Sequence, residues 1–135
     1  MDQNLLMKAQ GQAKRIYVLL SEVQDLSKQL ADALDRNDQV TARMLISMRS
    51  EPTNKLTLAK EALGELRRDS TNPDAARLGD LLDGAEPATM EERVLTTQLI
   101  SNQRLLEQVL ALDRSLNLKV AREKSIYQQN RTSAR

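Results

Sequence analysis

The spacing of apolar residues between Thr89 and Tyr127 predicts the longest helix of the chain, a segment without Gly or Pro. Thr89 can cap its first turn, and Glu92, three residues later, can complete a capping box. Apolar side chains then recur in alternating steps of three and four, which places them on one side of a helix about 55–60 Å long. They are Leu95, Leu99, Leu106, Val109, Leu116 and Val120. A helix of this length needs long partners beside it.

The same periodicity predicts two further long helices, over residues 2–36 and 39–68. The residues between them, 35–38, are short and polar and can cap helix ends. A link this short implies that the second helix runs antiparallel to the first. Pro52 lies inside the second helix, where proline removes a backbone hydrogen bond, so we expect a kink near residues 48–52 rather than a reversal.

Residues 69–88 are rich in turn signals and predict a short linker helix. Asn72 and Pro73 suggest its start, and Gly84 suggests its end. The predicted fold is therefore all-α, an elongated antiparallel bundle of three long helices with a short linker helix. We expect one helical domain over residues 1–127 and a flexible polar C-terminal tail over residues 128–135.

Composition agrees with thin helical seams and argues against an enzyme. Aromatic residues make up only 1% of the chain, and Tyr17 and Tyr127 are the two present. Cysteine and histidine are absent, which removes thiolate chemistry, the commonest metal ligand and the commonest general base near neutral pH. No glycine-rich phosphate loop or calcium loop is present. We predict no catalytic residues, no metal site and no cofactor.

Charge and hydropathy suggest a cytoplasmic protein that does not insert into membranes. The start of the sequence lacks the features of a signal peptide, and no apolar run approaches the roughly 20 residues that cross a bilayer. The net charge is +1, but residues 113–135 contain six basic and two acidic residues. This segment could touch phosphates or an acidic protein, or form a solvated helix face. Without aromatic stacking residues, nucleic acid is not a predicted partner.

A set of side chains on the last predicted helix is the candidate surface for a partner helix, which such stripes bind through positions i, i+3, i+4 and i+7. The set is Leu99, Leu106, Val109, Leu116, Val120, Ile126 and Tyr127. Tyr127 stands out because aromatic residues are enriched at binding anchors. The alternative is that Tyr127 covers the end of the bundle.

Four further residues have two interpretations each. Asn102 and Asp113 fall in the apolar seam of the last helix, where they either have a structural role, fixing its register or rotating toward solvent, or form a ligand site. Met44 and Met48 either line an adaptable groove for a partner helix or belong to the core.

The order of predicted helices resembles the FlgN-type flagellar export chaperones, with the FliT-type chaperones as near relatives. The resemblance rests on residues 30–38 followed by Leu45 and Arg49, on residues 77–82, and on residues 102–106 with Leu116 and Asn117. It covers nearly the whole chain. The long last helix favours the FlgN type.

This resemblance implies a cytoplasmic chaperone or adaptor. Its clients would be hook–filament junction proteins, held by an amphipathic C-terminal segment and delivered to the type III export gate. In this family a tyrosine close to the C-terminus docks on the export gate, and Tyr127 is the matching position. The competing hypothesis is a structural coiled-coil protein without a client, whose seams are filled by self-association. A homodimer is compatible with both hypotheses.

Overall fold

A computed structural model describes the backbone of residues 1–133 and the side chains of residues 1–122. Within this range the chain forms four α-helices and no strand, so the all-α prediction is confirmed. The helices are α1 (Gln3–Asp35), α2 (Gln39–Arg67), α3 (Ala75–Leu82) and α4 (Met90–Ser133). The division into a domain over residues 1–127 and a tail over 128–135 stays a prediction.

The link between α1 and α2 is fixed by local hydrogen bonds. Asn37 has a positive φ of 60°, and the N–H groups of Asn37 and Asp38 donate to the carbonyls of Leu34 and Ala33. This is a Schellman ending, in which asparagine takes the left-handed position that glycine usually fills. The carboxylate of Asp38 then accepts from the backbone N–H of Thr41 at 3.1 Å and begins α2.

α2 continues through Pro52 without reversing direction, as the sequence predicts. Proline leaves one carbonyl of the preceding turn without its usual donor. Nearby hydroxyl groups bond to other carbonyls of the same stretch, from Ser50 to Ser47 at 2.7 Å and from Thr53 to Arg49 at 2.7 Å. Pro52 itself is buried, so its ring contributes to packing.

The start of α3 differs from the sequence prediction. Asn72 does not cap the helix, which begins at Ala75 after Asp74. The side chain of Asn72 instead accepts from the backbone N–H of Asp74 at 2.9 Å, which tightens the turn before the helix. Gly84 ends α3 as expected, with a φ of 105° and a second Schellman pair of hydrogen bonds.

Three separate clusters of buried side chains hold the long helices together along their length. They are built around Leu5, Leu78 and Leu95, around Leu20, Ala59 and Val109, and around Leu30, Leu45 and Leu116. The first joins the starts of α1 and α4 to α3 and to the end of α2. The third joins the end of α1 to the start of α2 and to a later part of α4. Hence α2 runs antiparallel to α1, and α4 runs parallel to it.

Candidate partner-binding surface

The predicted stripe on α4 lies largely inside the molecule. Val109 and Leu116 are buried, and Leu99, Leu106 and Val120 are half-buried and pack against the three core clusters. These side chains attach α4 to the rest of the chain. Ile126 and Tyr127 lie outside the residues whose side chains are described. The partner-binding role of the set stays a prediction, and among its members with described side chains a partner reaches only the half-buried ones.

The polar seam residues bind neighbouring helices. Asn102 is buried, and its side-chain N–H donates to the carbonyl of Ala13 on α1 at 2.9 Å, while its oxygen accepts from Gln98 at 3.0 Å. Asp113 pairs with Arg49 on α2 at 2.5 Å. Of the two interpretations made from the sequence, the structure supports the one in which these residues fix the register of α4.

Replacing Asn102 by Ala is therefore expected to lower the free energy of unfolding by about 1 kcal/mol, the net value of a typical hydrogen bond. Urea unfolding followed by circular dichroism measures this loss. Gln103→Ala, at an exposed neighbouring position on α4, is the control and should change the stability by less than about 0.5 kcal/mol. A loss that is the same for both variants would argue against a register role for Asn102.

A gap separates α2 from α4 along the three long helices. Each of these two helices lies close to α1, but their backbones scarcely approach each other over the described residues. Side chains cross the gap instead, as the pair Arg49 and Asp113 shows. The gap is thus a groove with a floor of side chains.

α3 fills this gap at one end. Leu78 and Leu81 are buried in the first core cluster. Arg67 near the end of α2 makes two hydrogen bonds to Asp83, just beyond α3, at 2.9 and 2.7 Å. These bonds hold the pKa of the Asp83 carboxyl below its usual value. α3 has eight residues and is about 12 Å long, whereas α2 has 29 and is about 43 Å long, so most of the gap has no helix in it.

The residues that face the open part of the gap follow from the helical repeat, because positions seven apart lie on nearly the same face. Arg67 faces α3, so Lys60, Thr53 and Ile46 face the same gap further along α2. Gln103 lines a cavity of about 370 Å³ at the end of α3, so Leu110 and Asn117 face the gap along α4. Arg114 lies four residues after Leu110 and so borders the same face.

We call this surface the α2–α4 groove. Its floor consists of half-buried leucines that also pack against the core, and its rims are exposed. The floor is Leu56, Leu63, Leu99 and Leu106, and the rims are Ile46, Thr53 and Lys60 on α2 and Leu110, Arg114 and Asn117 on α4. Two members of the predicted stripe, Leu99 and Leu106, thus belong to the floor.

The groove also contains residues that were not predicted from the sequence. Ile46 and Leu110 are about half exposed, as is Ile100 in the cavity beside α3. The only sequence signal for Leu110 is that it lies four residues after Leu106 and so widens the apolar stripe. This signal cannot distinguish a rim from a core position.

A second depression, between α1 and α2, is acidic. It is lined by Glu22, Asp25 and Glu51 together with Met48 and Lys55, and Lys55 pairs with Glu51 at 2.9 Å. Met48 is therefore at a groove-like surface rather than in the core. Met44 is likewise exposed, so the core interpretation is wrong for both methionines.

The connection between α3 and α4 is held by a buried carboxylate. Glu92 is 4% exposed and accepts from Arg77 on α3 at 2.7 Å and from the backbone N–H of Ala88 at 2.9 Å. These two bonds lower the pKa of Glu92. The backbone N–H of Glu92 donates to the hydroxyl of Thr89 at 3.1 Å, which confirms half of the predicted capping box. The other half reaches Ala88 instead of Thr89.

The described residues include no cluster of acidic side chains arranged to hold a metal ion. None of the described helices combines the length and apolarity needed to cross a bilayer. Comparison with protein-family models, curated proteins and solved structures gives no significant match.

Proposed function

We propose that this protein binds an amphipathic helix of another protein in the α2–α4 groove. The observation that carries the proposal is the unfilled length of this groove, in which leucines with exposed edges lie between two helices held apart by α3. Grooves of this kind accept partner helices through apolar anchors at helical spacing. The finer architecture, an elongated antiparallel bundle of three long helices with a short linker helix, is part of the proposal.

Within this class, the proposed role is a cytoplasmic export chaperone or adaptor of the FlgN type. The support is the resemblance of residues 30–38, 77–82 and 102–106 to those chaperones, together with the helix order. The client would be an amphipathic segment of a hook–filament junction protein, delivered to the flagellar type III export gate. Tyr127 would provide a separate contact with the gate.

The alternative is a structural coiled-coil or oligomerisation protein without a client. Apolar side chains are exposed on several faces, including Met7 and Val18 on α1 and Leu58 on α2. Self-association can cover such side chains, which favours this candidate. It predicts a stable oligomer and no stoichiometric binding of a junction protein.

Leu110→Glu tests the groove. We expect this substitution to weaken binding of the C-terminal segment of a hook–filament junction protein by about 30-fold or more, because it places a charge against an apolar anchor position. Isothermal titration calorimetry with the purified chain measures the effect. Met48→Glu is the matched control, since Met48 is 49% exposed in the other depression and Leu110 is 46% exposed.

The control variant should bind like the wild type. Equal weakening by both variants would place the client elsewhere on the molecule. A wild-type chain that binds no junction protein and sediments as a stable oligomer would instead support the structural alternative.

A further inference from the structure

We infer that the α2–α4 groove selects an amphipathic helix of about 20 residues whose apolar stripe is flanked by acidic residues, and that Lys60 and Arg114 are the residues that select it. This inference rests on the proposed function, since it names the chemical class of the helix bound at the same site.

The length of the partner follows from the part of the gap that α3 leaves open. α3 occupies about 12 Å of a gap that runs beside an α2 of about 43 Å, which leaves roughly 30 Å. A partner helix of about 20 residues would lie in line with α3 and fill the rest of the groove. The cavity at the end of α3, where Ile100 and Gln103 meet Leu82, would receive one end of it.

The charge of the partner follows from the rims. Lys60 on α2 and Arg114 on α4 are exposed, and neither takes part in an ion pair among the described side chains. The other two arginines at the groove are already paired, Arg49 with Asp113 and Arg67 with Asp83. The groove therefore presents free positive charge on both sides of its apolar floor.

Two exposed acidic residues near the rims offset part of this charge. Glu107 lies seven residues before Arg114 on the same face of α4, and Gln103 donates a hydrogen bond to it at 3.4 Å. On α2, Arg43 and Glu61 lie on one face just outside the rim and offset each other, so Lys60 leaves that rim positive. Complementary charge across an interface sets which partner is chosen more than it sets affinity.

Two other arrangements are unfavourable. The basic segment that starts at residue 113 belongs to α4 and supplies Arg114 and Asn117 to the rim, so it forms a wall of the groove and is not its occupant. The depression between α1 and α2 carries Glu22, Asp25 and Glu51, so an acidic helix would be repelled there. An acidic amphipathic helix is thus favoured in the α2–α4 groove over this depression.

Three synthetic 20-residue helical peptides test the inference. They share one leucine stripe at helical spacing and carry Glu, Gln or Lys at the flanking positions. Fluorescence anisotropy measures their Kd values for the full chain at low and high salt. We expect the Glu peptide to bind about tenfold more tightly than the Lys peptide, and this preference to shrink at high salt.

The double variant K60E/R114E should reverse the preference. The matched control is K14E/K28E, which changes the net charge equally on exposed positions of α1 and should keep the preference for the Glu peptide. Circular dichroism checks that both variants retain the helical content of the wild type. Single substitutions K60E and R114E provide the same readout if the double variant does not fold.

The results separate the inference from the proposed function. Equal binding of all three peptides, or tighter binding of the Lys peptide, overturns the inference and leaves the proposed function standing if Leu110→Glu abolishes that binding. If no peptide binds and Leu110→Glu breaks a dimer of the wild-type chain, a second copy fills the groove, and both statements fail. A reversed preference in K14E/K28E would also overturn the inference.

Discussion

Replacing Leu95 by Ala is expected to lower the free energy of unfolding by about 3–4 kcal/mol. The side chain of Leu95 is 0% exposed and lies in the first core cluster, where the start of α4 meets α1 and α3. Truncation leaves a cavity between three helices whose ends are fixed by separate hydrogen bonds, so the walls cannot easily collapse into it. Urea unfolding followed by far-UV circular dichroism measures the loss.

Leu118→Ala is the matched control for this prediction. Leu118 is on the same helix but is 63% exposed, so the identical substitution should change stability by less than about 0.5 kcal/mol. Comparable losses at both positions would mean that the first core cluster does not hold α4 in place. The core cluster also supports α3, so Leu95→Ala should weaken the closure of the groove at that end.

Replacing Glu92 by Ala is expected to lower the free energy of unfolding by about 2 kcal/mol at neutral pH, because the buried charged acceptor of two hydrogen bonds is removed. The guanidinium of Arg77 and the N–H of Ala88 both lose their acceptor. The first turn of α4 also loses the negative charge that interacts favourably with the helix dipole, although the backbone N–H of residue 92 still donates to the hydroxyl of Thr89. Denaturant unfolding at neutral pH measures this effect.

The pH dependence of stability tests whether the charge of the Glu92 carboxylate causes this loss of stability. The hydrogen bonds from Arg77 and from the N–H of Ala88 lower the pKa of Glu92 in the folded chain below its ordinary value of 4.5. Its stabilisation is therefore complete above the unfolded pKa and is lost as the pH falls through the folded pKa. We expect the difference in stability between the wild type and Glu92→Gln to decrease with acidification, measured by unfolding from about pH 7 to about pH 3.

Glu92→Gln is the informative variant for this measurement because it keeps the shape and one acceptor oxygen but cannot titrate. Asp38 and Asp83 also have lowered pKa values, from hydrogen bonds with Thr41 and Arg67 respectively, and they contribute to acid sensitivity in both proteins. Their contributions cancel in the difference in stability between the wild type and Glu92→Gln. A difference that stays constant over the whole pH range would assign the role of Glu92 to its shape instead of its charge.

The proposed binding surface differs from the stripe that the sequence suggests in one respect. Val109 and Leu116, at the centre of the stripe, are buried against α1 and α2, whereas Leu99 and Leu106 keep an edge in the groove. A partner helix can therefore bind beside α4 without displacing it from the core. This makes the groove a better candidate than an opened bundle, since opening would expose the second and third core clusters.

Local features of the chain were predictable because they depend on neighbouring residues. Asp38 caps α2, Gly84 ends α3, and Thr89 with Glu92 begins α4, each through bonds that span only a few positions. The start of α3 was not predicted correctly, because the side chain of Asn72 can cap either a helix or a turn, and Asp74 provided the closer donor. The exact partner of Glu92 likewise depended on the path of the α3–α4 connection.

The sequence by itself determined that the described chain is helical, where most of its helices begin and end, and that Asn102 and Asp113 interrupt an apolar seam. The tertiary structure alone decided which leucines of that seam remain accessible. Leu106 and Val109 are equally apolar and only three residues apart, so their burial depends on how α4 is rotated against α1. The separation of α2 from α4, with α3 inserted at one end, arises from contacts between residues distant in sequence. No local pattern encodes that distance, and it is this distance that creates the groove.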